Sequence, residues 1–239
     1  IHLRNGKAEE KPTVNNISID VGCSSKEEVL ELGIHVGSVV TFKDQFMTLN
    51  DKYYVGRALD NRLGGFIVAE TVRLLKENNI DLPFSLYIVN AVQEEVGLKG
   101  AQMIVQTIKP DLAIVTDVCH DTNTPGIKVK DNGDFRCGSG PVITYGPSIH
   151  HILRDLIIQV AEAEDIPYQL DAVSRSTGTD ADAFAYANGG TPTALISIPL
   201  RYMHTTVETA SKEDTNQVIQ LIYETLKTID PNKSFKYFS

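Results

Sequence analysis

Leu112-Ala113-Ile114-Val115-Thr116-Asp117 is a run of apolar and β-branched residues closed by a carboxylate, and its reading decides the fold. A segment this short, with no apolar–polar alternation, predicts a strand covered on both faces. Phe84–Val92, Val142–Tyr145 and Thr193–Ile198 have the same character. Helical periodicity fills the intervals. Leu63, Phe66, Ile67 and Leu74 share one face of a helix reaching about Asn78, while Ile149, Ile152, Leu153, Leu156, Ile157 and Val160 share a second. Val218, Ile222, Leu226 and Ile229 mark a third. Strands alternating with helices predict an α/β domain over residues 51–239, a mostly parallel sheet covered by helices.

Before residue 51 the pattern changes. Ile17–Val21, Ser38–Phe42 and Phe46–Leu49 read as short strands with polar breaks, and Tyr53–Val55 follows them. Ser25 and Glu28 form a capping box for a short helix ending near Gly33. Residues 1–50 therefore read as a small β-rich unit, with Asn5–Asn16 as its most linker-like stretch. The opening Ile1-His2-Leu3-Arg4 has neither an initiator Met nor the basic-then-apolar pattern of a signal peptide. The expectation is a leading segment ahead of residue 1.

The 239 residues carry 22 Lys+Arg against 31 Asp+Glu, a net charge of −9, which excludes a broadly basic nucleic-acid binder. Hydrophobic residues make up 42%, enough for a substantial core. No apolar run approaches the roughly 18–20 residues that span a bilayer. Cys23, Cys119 and Cys137 are odd in number and lack CxxC spacing, which argues against a disulfide framework or a cysteine zinc site. A reducing, cytoplasmic setting is expected.

Gln93-Glu94-Glu95 follows the run Phe84–Val92, Asp117 closes Leu112–Thr116, and His204 lies six residues beyond Ile198. Ligands of open α/β sheets bind at the carboxyl ends of strands. Asp60, in Arg57-Ala58-Leu59-Asp60-Asn61-Arg62, opens the first long helix, where Asp commonly caps. Taken singly, each residue has an ordinary reading: Asp60 a cap, Glu94-Glu95 a solvated pair, Asp117 a turn former, His204 an exposed histidine. Their joint placement at one sheet edge points to a shared cleft.

Crowded carboxylates repel, and burying them costs roughly several kcal/mol per ion without compensating positive charge. A divalent metal supplies that charge, and Asp and Glu oxygens with a His nitrogen suit zinc, cobalt or manganese rather than calcium. Two ions about 3.5–4 Å apart need a bridging carboxylate, for which Asp60 is the candidate. Neighbouring Glu94 and Glu95 leave an extended backbone in opposite directions, so one ligates and the other handles protons. The chemistry this predicts is amide hydrolysis. His2, His35, His120, His150 and His151 read as structural or surface groups, and Gly138-Ser139-Gly140 as a turn.

Further motifs run through the chain: Ile19-Asp20-Val21-Gly22-Cys23-Ser24-Ser25, Ala58-Leu59-Asp60-Asn61-Arg62, Gln93-Glu94-Glu95-Val96-Gly97-Leu98-Lys99-Gly100-Ala101, Pro110-Asp111-Leu112-Ala113-Ile114, Gly178-Thr179-Asp180-Ala181 and Arg201-Tyr202-Met203-His204-Thr205. In content and order they resemble the M42 metallo-aminopeptidases, relatives of glutamyl aminopeptidase and the TET peptidases, some labelled cellulase M or endoglucanase. The resemblance implies a zinc-peptidase-like fold with two divalent ions, zinc or cobalt, per subunit. Asp60 would bridge them, Glu95 and His204 would bind one, Asp117 the other, and Glu94 would be the general base toward a water between them. It further implies a cytoplasmic homo-oligomer, from dimer up to dodecamer, that removes N-terminal residues from peptides. No nucleic-acid or membrane partner is implied. Residues 1–50 would be the later part of a β-rich dimerisation domain inserted into the catalytic domain.

The family's other histidine ligand lies in a His-x-Asp motif ahead of that insertion, and no His-x-Asp occurs in these residues. One metal site is therefore expected to be incomplete within this stretch, because a leading portion lies outside it or because the ligand has been lost. Two competing functions follow: a non-catalytic, metal-deficient assembly subunit, or a glycosidase of the endoglucanase type. The glycosidase needs two carboxyls about 5–9.5 Å apart and usually no metal. The absence of Trp also removes the commonest sugar-stacking platform.

Overall fold

The computed structural model describes residues 11–43 and 45–236. The chain divides into two compact units, Ile1–Lys43 and Asp44–Ser239. In the first, α1 (Lys26–Glu31) forms where the capping box predicts: Ser25 Oγ accepts from the Glu28 N–H, and Glu28 Oε2 accepts from the Ser24 N–H at 2.7 Å. Ile17–Val21 and Ser38–Phe42 enter no ladder among the described residues. Ile19 is 61% exposed and Val39 88%. β-branched residues favour a strand only where a neighbour completes the pleated surface, and none is described for these two runs.

The second unit begins with β1 (Met47–Leu49), which pairs antiparallel with β2 (Tyr53–Gly56). Phe46–Leu49 thus belongs with the main sheet rather than with the preceding small unit. There follow α2 (Leu59–Glu77), α3 (Lys99–Ile108), β3 (Ala113–His120), α4 (Val129–Asn132), β4 (Val142–Tyr145), α5 (His151–Ala163), β5 (Gln169–Ala172), α6 (Asp180–Ala185), β6 (Thr193–Arg201), β7 (Glu208–Ser211) and α7 (Lys212–Thr228). Among the described residues, seven strands form one sheet. β6 is its centre, with β3 along one edge and β4, then β7, along the other.

β3 runs parallel to β6, and β4 parallel to β5; the other pairings are antiparallel. The α/β class holds, but the sheet is mixed rather than mostly parallel. A short connection, such as 202–207 between β6 and β7, returns the chain antiparallel, whereas a parallel return needs a long crossover.

Alternation along β6 shows that both faces are covered. Ala194, Ile196, Ile198 and Leu200 pack into a core with Leu63 and Ile67 of α2, Leu153 and Ile157 of α5, and Leu221 and Leu226 of α7. Leu195, between them, packs with Ile149 and with Ala181 of α6 on the opposite side. Double-sided burial is what the uninterrupted apolar runs encode.

One predicted strand limit and one predicted strand are corrected. β3 continues past Thr116 to His120, because β6 runs on to Arg201 and offers ladder partners as far as Leu200. Asp117 therefore lies within the strand. Phe84–Val92 enters no ladder among the described residues, and Leu86, Tyr87, Ile88 and Val92 are exposed. Strand formation depends on a partner that local composition cannot supply. No helix among the described residues is long and apolar enough to cross a membrane.

On α2 the core face is specific. Ile67 is 0% exposed and its neighbour Phe66 44%. Ile67→Ala should cost about 2–5 kcal/mol in urea unfolding, and Phe66→Ala less than about 1 kcal/mol. Equal losses would contradict the assigned face.

Candidate metal centre

Asp60, Glu94, Glu95 and His204 sit where regular structure gives way, whereas Asp117 lies within β3. Ala58, just before α2, is left-handed at φ 55, and within the first turn of α2 Asp60 (φ −77, ψ 109) and Asn61 (φ −117, ψ 49) are non-helical across a cis peptide bond. The side chain that caps the helix is that of Asn61 rather than Asp60. Asn61 Oδ1 accepts from the Gly64 N–H at 2.9 Å while its Nδ2 donates to the Thr116 carbonyl of β3 at 2.8 Å. A Cβ on Gly64 would lie 2.7 Å from this side chain, so only glycine leaves room for the brace.

Glu94 and Glu95 occupy a tight turn leading into α3 rather than extended backbone. The Glu94 carbonyl accepts from the Gly97 and Leu98 N–H groups at 2.9 and 3.0 Å, and the Val92 carbonyl accepts from Gly100 at 2.9 Å. A Cβ on Gly100 would approach the Val92 backbone to 2.5 Å, which explains glycine at this position. Asp117 is 7% exposed on β3, opposite Ser197, and its Oδ1 accepts from the Val118 N–H at 2.8 Å. His204 follows β6 in the left-handed region, at φ 62.

These separate segments converge. His204 Nε2 lies 3.1 Å from Asp60 Oδ2 and 3.4 Å from Glu95 Oε2. One donor atom from each of the three falls within 4.8 Å of the others. Asp117 and Glu94 stand outside that trio but line the same cavity, of about 760 Å³, with Asp60, Glu95 and His204. Two carboxylate oxygens and an imidazole nitrogen fit a divalent ion of the zinc or cobalt kind.

The electrostatics show the cost of this arrangement. Burial, then the charges of Glu95 and Glu208, push the Asp60 carboxyl up to about 6, although His204 opposes them. Asp117 is pushed up to about 7, first by burial, with Asp60, Glu94 and Asp180 adding to it. Glu94 is raised by burial and by Asp180, Glu95 and Asp60. A centre of positive charge would relieve all three.

The sequence pattern of the family described as M42 glutamyl aminopeptidase matches residues 1–221. The chain belongs to the M42 family. It is 35% identical over 234 residues to lysyl aminopeptidase of Pyrococcus furiosus, covering 96% of this chain and 65% of that one. It is similar in structure to an aminopeptidase from the archaeon Desulfurococcus kamchatkensis, at TM-score 0.86 and 33% identity, covering 95% of this chain and 63% of the other. The TET1 peptidase of Pyrococcus horikoshii, which can assemble into a tetrahedron or a large octahedral shell, matches at TM-score 0.73 and 30% identity, covering 94% and 64%. This M42 chain therefore spans just under two thirds of the length of each of these relatives.

Two acids near the trio have no role in the sequence reading. Asp180 stands in the Gly178-Thr179-Asp180-Ala181 motif, and its Oδ1 is buried with no hydrogen-bond partner. Motif membership was the available signal. Glu208 accepts hydrogen bonds from the backbones of both Asp60 and His204, and no local pattern marks it. The three cysteines are free, as expected, and burial raises the thiols of Cys119 and Cys137 far above their ordinary range.

Asp117 gives the metal-free M42 chain a pH signature. With its carboxyl at about 7 against an ordinary 3.8, the folded state keeps a proton that the unfolded chain releases. The stability from this group is full below about pH 4 and is lost as pH rises through about 7. In chelator, wild type should lose stability relative to Asp117→Asn across that window, by roughly a few kcal/mol at most. Urea unfolding of both proteins at several pH values measures this, and a pH-independent difference contradicts it.

Proposed function

We propose that this chain forms the metal-binding core of a dinuclear aminopeptidase that cleaves N-terminal residues from peptides. The observation that carries the reading is the convergence of Asp60, Glu95 and His204 donor atoms within 4.8 Å, in a chain of the M42 family. Asp60, Glu95 and His204 would hold one ion, zinc or cobalt, and Asp117, with Asp60 shared between the two, would hold the other. When bound, such ions supply Lewis-acid charge to the scissile carbonyl and acidify a water. Glu94 takes the proton of the attacking water and delivers it to the departing amine nitrogen as the C–N bond breaks. Its place beside the trio but outside it suits a group that moves protons.

The residues ahead of β1 serve subunit association in this reading, within a cytoplasmic homo-oligomer ranging from dimer to dodecamer. The shells formed by the Pyrococcus horikoshii peptidase support the oligomeric part of this reading. The glycosidase reading is weaker: two carboxyls working across a glycosidic bond need open space between them, whereas His204 Nε2 lies within 3.4 Å of both Asp60 and Glu95.

With zinc or cobalt added, the full-length protein should hydrolyse aminoacyl anilides and lose that activity in chelator. Glu94→Gln should lower kcat by roughly 10²–10⁴ while leaving the metal content unchanged. His204→Ala should lower the metal content itself. A fully active Glu94→Gln overturns the base assignment, and cellulose hydrolysis that survives chelation overturns the aminopeptidase reading.

A further inference from the structure

Glu208 opens β7, opposite Gly56 of β2, and is 2% exposed. Its Oε2 accepts from the Asp60 N–H at 3.1 Å and its Oε1 from the His204 N–H at 2.8 Å. Each oxygen thus serves a different donor-bearing segment, one of them 148 residues distant along the chain and the other 4. Neither segment has regular geometry at the residue held: Asp60 is non-helical at ψ 109, and His204 is left-handed at φ 62.

On stability grounds an acid is a poor choice here. Glu208 is buried and repels the Asp60 carboxylate, in a site already crowded with acids. The hydrogen-bond inventory explains it. A carboxylate offers two acceptor oxygens to two backbone donors, whereas an amide would accept from one and turn its NH₂ against the other.

We propose that Glu208 is a positioning residue whose carboxylate fixes the Asp60 and His204 backbones at the separation where their side chains, with Glu95, converge on a metal ion. This rests on the metal-centre reading above. Outer partners of this kind hold ligating groups in place before the ion arrives, and their loss weakens metal binding without removing a ligand.

The test compares Glu208→Gln with a matched control, Asp214→Asn, in the full-length protein with cobalt(II) alone as the probe. Asp214 is 0% exposed and also accepts from two backbone N–H groups, Gly138 at 2.7 Å and Gly140 at 2.9 Å, away from the trio. Visible absorption during titration reads both affinity and coordination geometry. Glu208→Gln should weaken cobalt binding by roughly 10- to 100-fold and alter the absorption bands. Asp214→Asn should lower the thermal midpoint and keep both readouts.

Wild-type affinity and spectrum in Glu208→Gln would overturn the proposal. A wild-type protein that takes up no cobalt would overturn the metal-centre reading itself, and the proposal with it. Where Glu208→Gln fails to fold, amide hydrogen exchange of the wild type in chelator decides. Protected amides at both Asp60 and His204 support prior positioning, and unprotected exchange at either one overturns it.

Discussion

Mutual repulsion among acids is the constraint under which the rest of this chain is organised. Asp60, Glu94, Glu95 and Asp117 line a single cavity, and Asp180 and Glu208 stand close enough to act on them. Two like charges 4 Å apart at an effective dielectric near 20 repel by about 4 kcal/mol, a large fraction of a domain's net stability. Without a counter-charge the site relaxes by holding protons: burial first, and then the neighbouring acids, push Asp60 up to about 6 and Asp117 up to about 7. His204 relieves only part of the strain at Asp60. Stability must therefore come from elsewhere, and the extended β3–β6 ladder with apolar clusters on both faces supplies it.

The frame and the site meet at short irregular segments hung from regular ones. Asp60 lies in the kinked first turn of α2, Glu95 in the turn before α3, and His204 between β6 and β7. Irregular backbone alone would leave these groups mobile, so each segment is tied back to the sheet or to itself. Asn61 bonds the Thr116 carbonyl, the turn around Glu94 closes on its own carbonyls, and Glu208 joins two segments at once. Glycines at 64 and 100 are required because the ties run through space that a methyl group would fill.

What the sequence made legible follows the range of the interactions involved. The α1 capping box and the buried faces of α2, α5 and α7 depend on residues three or four apart, and they were readable. The convergence of Asp60, Glu95 and His204 was readable because sheet edges gather loops, even though Phe84–Val92 forms no described ladder and Asp117 falls inside β3. Pairing direction was not readable, since a β-branched run carries no record of its partner. Glu208 was invisible for the same reason: its meaning lies in two backbone N–H groups, one of them far away along the chain.

The adjacent acids show how local backbone turns identity into role. An extended strand would point Glu94 and Glu95 to opposite faces, a difference of direction but not of surroundings. In the turn, Gln93 is left-handed at φ 59 and Gly97 has φ 108, and the Glu94 carbonyl gathers two N–H groups. Glu95 is delivered, exposed, to His204, while Glu94 remains half-buried where Asp180 is the charge that acts on it most. Two chemically identical side chains thereby acquire different neighbours and different burial. The distinction is written in the glycines and left-handed residues around them rather than in the glutamates themselves, so altering the turn's length would exchange or abolish it without changing either acid.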